Sequence, residues 1–367
     1  MAKEEDDVYD ITSAQKSLST DQPARQRRYF ISMMVRTACF ILTVILPSPF
    51  RWFALGVVYL LPNRNILING AMAIDQRNAG ASQTITAGSA LAYTVDRWYA
   101  YCTGANATGQ RVAGTAPNQY NYRFTGASSV SKIGFAQRIE ATNCQHLAGR
   151  TATLSVDLAN SLLTTITWVA SYATTADAFG TIASPTKTQI ATGTFTVNST
   201  LTRYATSIAI PAGATTGIEI EFSVGSQISG TWTIGRVQLE DTPEQTAFEN
   251  RTIQQELQLC QRYFEKTYNQ SAATATLTFA GARGFSSQNG QQNLVPVYFK
   301  AVKRTTPTIT LYSPNTGVAG KLSTGSGVSS DINGDSFSAG EDGLYVGPAT
   351  TTTLTNLYFH YTATAEL

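Results

Sequence analysis

Gly217-Ile218-Glu219-Ile220-Glu221-Phe222-Ser223-Val224 carries an apolar residue at every second position. Successive side chains of a β-strand point to opposite faces, so Ile218, Ile220, Phe222 and Val224 share one face and are expected inside. Glu219 and Glu221 share the other and are expected in water. The same period recurs on both sides of this stretch. Ala152 to Leu158 places Leu154, Val156 and Leu158 inward, and Thr231 to Leu239 begins with Trp232 and Ile234 before Gly235 permits a bulge. Ile166 with Trp168 and Phe195 with Val197 extend the set. Short strands punctuated by Gly, Pro and Asn from Ile66 to about Asn250 predict a β-sandwich of jelly-roll type over 63–250.

Residues 251–269 break the alternation. Thr252 precedes a run in which Ile253, Leu257, Cys260 and Phe264 recur at helical spacing, followed by Thr267 or Tyr268. The spacing predicts a linking helix with one narrow apolar stripe, packed either on its own sandwich or on copies of itself in an oligomer. Beyond Asn269 the β pattern returns. Thr276–Phe279, Leu294–Phe299, Thr308–Tyr312, Leu344–Val346 and Leu357–Tyr361 read as strands of a second, smaller sandwich over 270–367. Ser313 to Gly340, rich in Gly, Ser, Asn and Asp, reads as a long turn-bearing excursion. The fold class is therefore all-β, with an α-helical apolar segment at its N-terminus.

That N-terminal part differs in character. Residues 1–28 run from the acidic Glu4–Asp7 to the basic Arg25, Arg27 and Arg28, and read as a disordered charged tail. Residues 29–62 hold two apolar runs, Tyr29–Leu46 and Phe50–Leu61, around Pro47-Ser48-Pro49. The first is about 27 Å long as a helix and nearly spans a bilayer core; the second, about 18 Å, does not. Membrane contact through 29–62 is the expectation. If the runs form a hairpin, the chain beyond Asn63 stays on the side of the N-terminus; if only the first spans, it lies on the other.

Charge narrows the partners. Only 14% of the 367 residues are charged and the net charge is +2. A nucleic-acid partner calls for a basic surplus to displace counterions from phosphate, and beyond residue 64 the eighteen basic and eighteen acidic residues cancel. Cys39, Cys102, Cys144 and Cys260 are widely spaced and the histidines are two, His146 and His360, so neither a zinc site nor a disulfide framework is expected. Four buried thiols, or one bridge between Cys102 and Cys144, are the readings. No metal or other cofactor is expected.

A triad hydrolase would set a histidine beside a nucleophile and an acid. His360 alternates with Phe359 and Tyr361 and reads as a strand histidine, while strand-face carboxylates such as Asp157, Glu219, Glu221 and Glu240 read as solvated rather than as a glycosidase pair. Asp331-Ile332-Asn333-Gly334-Asp335 has the look of a calcium loop but departs from the helix–loop–helix pattern at Ser336 and Asp342, so a turn with solvated acids is expected. Glycans are bound by aromatic faces framed by polar partners. Tyr99 and Tyr101, on the face opposite Trp98, Tyr120 and Tyr122 around Asn121, Trp168, Asn333 and Asp335 are the carbohydrate-contact residues the sequence offers.

Two family resemblances extend these expectations. Ile11–Ser19, Arg27–Met33, Arg36–Phe40 and the Pro-Ser-Pro-Phe-Arg-Trp turn resemble, over residues 8–62, a family of small two-span actinobacterial membrane proteins of unknown function. The chain then reads as a fusion with its joint near residue 62. Asn65–Met72 with Arg77, Asp96–Tyr99, Ala136–Glu140, Leu147–Arg150, Val237–Glu240, Ala247–Glu249, Gln254–Leu257 and Cys260–Phe264 resemble carbohydrate-binding-module-like jelly rolls of phage and prophage tail proteins. Pro296–Phe299, Thr306–Thr308, Thr310–Pro314 and Tyr358–Ala363 resemble a tail-fibre C-terminal domain. The resemblance implies a non-enzymatic receptor-binding tail fibre in the virion tail. It further implies a homotrimer that binds host cell-surface glycans and joins other tail or baseplate proteins. A membrane-anchored bacterial surface module, or a glycan-degrading tail enzyme, are the alternatives.

Overall fold

The computed structural model describes residues 34, 37, 38, 63–88, 91–286, 293–325, 331–350 and 356–367. Met34, Thr37 and Ala38 are helical; the expectations for the charged tail 1–28 and for the rest of 29–62 lie outside the described residues. Among those described, no helix is long and apolar enough to cross a membrane. The chain divides into two compact units, Met1–Pro62 and Asn63–Leu367.

Asn63–Leu367 opens with two six-stranded sheets, their strands numbered in chain order. One holds β1 (Gln83–Ile85), β4 (Ala107–Ala113), β5 (Tyr120–Thr125), β12 (Thr231–Glu240), β7 (Thr151–Asn160) and β10 (Thr202–Ala209), side by side in that order. The other holds β2 (Ala92–Tyr93), β3 (Tyr99–Thr103), β6 (Lys132–Ile139), β11 (Ile218–Val224), β8 (Thr165–Ala173) and β9 (Lys187–Thr196). Every pairing between these strands is antiparallel. The chain crosses from sheet to sheet along its length, as in a jelly roll.

Period-two burial builds the core. Ile218, Ile220, Phe222 and Val224 are all buried, with Leu154, Val156, Leu158, Trp232 and Ile234 from the opposite sheet. Trp98 stacks on Phe135 at 4.9 Å, Phe135 on Tyr122 at 5.2 Å, and Phe124 on Trp232 at 4.9 Å. Tyr122 and Trp168 are thus core residues rather than surface ones. The bulge falls between Gly235 and Gln238, and Arg236 there takes the left-handed backbone (φ 43°). Gly235 serves a different end: a Cβ there would come within 2.2 Å of Asn121 Oδ1.

The helix is shorter than the spacing predicts. It spans Ile253–Gln261, opened by a capping box in which Thr252 Oγ1 accepts from the Gln255 amide and the Gln255 side chain accepts from the Thr252 amide. Phe264 leaves it for β13 (Phe264–Lys266), whose ladder with β20 (Asn356–Thr364) ends the helical run. The helix packs on its own jelly roll, with Glu256 Oε1 accepting from the Asn69 amide. Its buried residues are Glu256, Cys260 and Gln261, whereas Ile253 is 57% exposed and Leu257 half-buried beside Gln254, Gln258 and Gln261. The predicted stripe is therefore split: Cys260 and Phe264 are consumed inside the chain, and the outward side is mostly glutamine.

The second sandwich sets β20 between β13 and β14 (Arg283–Ser286), with β16 (Thr308–Tyr312) also on β20. Facing it is a four-stranded sheet ordered β15 (Val295–Tyr298), β19 (Gly343–Pro348), β18 (Ile332–Phe337) and β17 (Lys321–Leu322). Val297, Leu311, Leu322, Leu344, Val346, Leu357, Phe359 and Tyr361 form its core. Two expectations change. Thr276–Phe279 is not a strand: Thr276 Oγ1 donates to the Ala273 carbonyl and Thr278 Oγ1 accepts from the Ala280 amide, local bonds that compete with a ladder. The excursion 313–340 contains β17 and β18, so Asp331–Asp335 leads into a strand where a turn with solvated acids is expected.

Candidate functional site

The sequence points first to Tyr99 and Tyr101, and both lie on the outer face of the β3–β6–β11 region. Register places Tyr99 opposite Ala136 and Ala136 opposite Glu221, with Tyr101, Gly134 and Ser223 in the next row. That face is closed. Tyr99 Oη donates to Glu219 Oε2 at 2.7 Å and Tyr101 Oη to Glu221 Oε1 at 2.5 Å. Arg138 Nε reaches Glu219 at 2.9 Å, Lys187 pairs with the same carboxylate, and Lys132 Nζ lies 3.2 Å from Glu221.

The β8–β9 connection, residues 174–186, lies across this lattice. The Gly180 carbonyl accepts from Arg138 at 3.1 Å, Phe179 is buried, and Ile182 packs against Tyr99, Tyr101 and Ala136. A cavity of 310 Å³ remains between Tyr101, Thr103 and Thr181–Ala183. Glu219 and Glu221 are thus buried, not solvated. Burial pushes the Glu219 carboxyl up, but Lys187, Tyr99 and Arg138 outweigh it and hold it below the usual carboxylate value. Burial and then Glu219 drive the Tyr99 phenol well above its ordinary value, so it stays a neutral donor. Period two assigns residues to a face, and what covers that face is decided by a distant loop.

An open face exists on the second sandwich. In the β15–β19 pair Pro296 lies opposite Tyr345 and Tyr298 opposite Gly343, while Phe337 of β18 lies opposite Tyr345. The alternation puts Pro296, Tyr298, Tyr345, Phe337, Asp335 and Asn333 on the outer face. Tyr298 is 77% exposed and Tyr345 46%. Asn333 and Asp335, both exposed, sit at the far side of the same sheet; Asn333 Oδ1 accepts from Lys321 Nζ at 2.6 Å, and Asp335 Oδ1 from the Ser336 amide. The sequence-predicted pair therefore belongs to an exposed aromatic platform whose tyrosines the sequence reading missed. Their signal was present in Leu344-Tyr345-Val346 and in Val295-Pro296-Val297-Tyr298, where a tyrosine occupies the face opposite the aliphatics.

Tyr120 is elsewhere, half-buried with the Arg111 guanidinium 4.5 Å from its ring centroid. His360 is fully buried and stacked on Tyr268 at 3.7 Å. Its Nε2 lies 2.9 Å from the Thr278 carbonyl, an acceptor only, which makes Nε2 the protonated nitrogen and leaves Nδ1 to accept from Thr267 Oγ1 at 2.8 Å. Hydroxyl, imidazole and carbonyl do not make a triad, and burial lowers the His360 pKa further. Asp331 is held by Ser313 Oγ at 2.7 Å and by Thr316. Cys102, Cys144 and Cys260 are free and buried.

The profile of a family described as "Protein of unknown function (DUF3099)" matches residues 10–69. Its last residues, from Asn63 on, belong to the compact unit of the sandwiches. No curated protein matches the chain. Among solved structures, a CBM4 carbohydrate-binding module is similar over 47% of this chain and 98% of its own, at 16% identity and a TM-score of 0.31. TmCBM61, solved in complex with β-1,4-galactotriose, is similar over 49% of this chain and 100% of its own, at 13% identity and a TM-score of 0.32. The enzymatically active domain of bacteriophage CBA120 tailspike protein 4 is similar over 49% of this chain and 22% of its own, at 19% identity and a TM-score of 0.29.

Proposed function

We propose that residues 63–367 are the receptor-binding part of a phage-type tail fibre, a non-enzymatic homotrimer in the virion tail that joins other tail proteins and attaches to host cell-surface glycans. The observation that carries the glycan reading is the open face of the β15–β19–β18 sheet, which Tyr298, Tyr345 and the half-buried Phe337 share with Asn333 and Asp335 further across it. Aromatic faces stack on the C–H surface of a pyranose and neighbouring amide and carboxylate groups take its hydroxyls. Each contact is weak, and several copies on one particle raise the avidity through effective concentration. The ordered resemblance to tail proteins across the sandwiches supports the fibre assignment.

Glycan-array binding by the full chain, with no reducing sugar released, is the expected result. Hydrolysis that a carboxylate substitution abolishes would replace this reading with the enzyme one. A solution mass of three chains supports the fibre, and a monomer counts against it. The apolar runs in 29–62 favour a second reading, a membrane-anchored bacterial surface module. It requires the full chain to partition with membranes and the chain lacking residues 1–62 to stay in the aqueous phase.

A further inference from the structure

Between Tyr298 and Tyr345 the open face dips into a depression of 250 Å³, bounded on its third side by the turn that carries Glu341 and Asp342. The turn is pinned by its main chain. The Glu341 carbonyl accepts from the Lys303 amide at 2.9 Å, the Asp342 carbonyl from the Phe299 amide at 2.9 Å, and the Gly340 amide donates to the Gly343 carbonyl at 2.8 Å. Gly343 opposite Tyr298 leaves the floor clear, and a Cβ there would come within 2.4 Å of the Val297 carbonyl. The volume lies below the roughly 300–1,000 Å³ of drug-sized pockets and suits one sugar ring rather than a chain.

The chemistry of the rim is one-sided. Glu341 and Asp342 are exposed, and among the described residues neither carboxylate has an ion-pair or hydrogen-bond partner. Lys303, whose amide holds the turn, sends its ammonium the other way, to Glu265 in the interior at 2.6 Å. Among the described residues, none that lines the depression is cationic. Arg283 lines a neighbouring depression of 240 Å³ that shares Tyr298 and holds neither acid. Two tyrosine faces with two unpaired carboxylates form a set complementary to an ammonium group carried on an apolar ring face.

We propose that this depression is a subsite for a sugar bearing a free, protonated amine. The proposal rests on the glycan-adhesion reading and specifies the class of glycan. The test compares a glucosamine oligosaccharide with its N-acetylated counterpart, titrated calorimetrically into the full chain near pH 6 at low salt. The two ligands share a backbone and differ in charge. Exposed ion pairs are weak, so the amino oligomer should bind about fivefold tighter, with the advantage shrinking in high salt.

The Glu341→Gln/Asp342→Asn double variant should bind both oligomers alike and melt with the native protein, because neither side chain has a partner to lose. Arg283→Gln should leave the preference intact. Equal affinities in the native protein, or a preference that survives the double variant, overturn the amine subsite while leaving glycan adhesion standing. Failure of both oligomers to bind, while other glycans on the array do, also overturns it; failure of every glycan overturns adhesion itself.

Discussion

Arg97 of the jelly roll and Glu366, just beyond β20 of the second sandwich, form an ion pair whose side chains are only 1% and 4% exposed. The Arg97 guanidinium also lies 3.5 Å from the Tyr263 ring centroid, and Arg77 reaches Glu366 at 3.0 Å while sitting over Phe264. Around them Gln76 Nε2 donates to the Phe264 carbonyl at 2.8 Å, and Arg262 grips Glu140 at 2.9 and 3.0 Å. Two apolar cores are thus joined through a dry, charged junction rather than a flexible linker. Charges taken out of water must be matched, so such a junction fixes geometry more than it adds stability.

Removing one partner should be severe. Arg97→Ala leaves Glu366 buried beside Arg77 alone and is expected to cost about 3–5 kcal/mol. Urea denaturation followed by far-UV circular dichroism should show a lower midpoint, and a separate transition for the second sandwich if the junction is what couples the two.

Tyr298→Ala and Tyr345→Ala remove rings that are 77% and 46% exposed and stand outside the buried core of the second sandwich. Each should weaken glycan binding about three- to tenfold, as for the loss of one aromatic contact, and shift stability by no more than about 0.5 kcal/mol. Surface-plasmon titration against the best array ligand, beside a thermal melt, separates the two effects.

Glu219→Gln behaves in the opposite way. It strips Arg138 and Lys187 of their shared carboxylate on a covered face, so stability should fall by about 3 kcal/mol. Glycan affinity measured below the new transition should stay unchanged, because the 174–186 connection already closes that face.

Asp96 supplies a pH dependence. Burial pushes its carboxyl from 3.8 up to about 6 against the pull of Arg77 and Gln76. The folded state therefore holds a proton that the unfolded chain has lost, and this contribution is complete below about 4 and declines as pH rises through 6. His360 acts in the other sense. Its lowered pKa makes its share of stability full above the ordinary 6.5 and lost as pH falls. Comparing denaturation midpoints from pH 4 to 7 for native protein and Asp96→Asn isolates the first term: only the native protein should lose stability, by a few kcal/mol at most, across that window relative to the variant.

Most of the strands were legible because burial on a sheet has period two and the chain keeps that period in long runs. Ile218–Val224 and Leu154–Leu158 declare their inner faces outright. The helix was only half legible. Its capping residues were local and readable, but its end depends on Phe264 finding a ladder with Thr364, a partner a hundred residues away. Thr276–Phe279 failed for a different reason: hydrogen bonds of its own threonines to the Ala273 carbonyl and the Ala280 amide compete with a ladder. Tyr99 and Tyr345 look alike in sequence, each a tyrosine on the face opposite the aliphatics, and one is buried under a loop while the other faces solvent.

From its order of apolar and polar residues alone, this chain determines that it forms sheets, where most strands run, and which residues share a face. Tertiary structure decided which outer faces stay wet: residues 174–186 fold over Tyr99 and Glu219, and nothing among the described residues folds over Tyr298. The reason is physical. Side-chain direction is set by local backbone geometry, whereas burial of an outer face depends on contacts with segments distant in sequence.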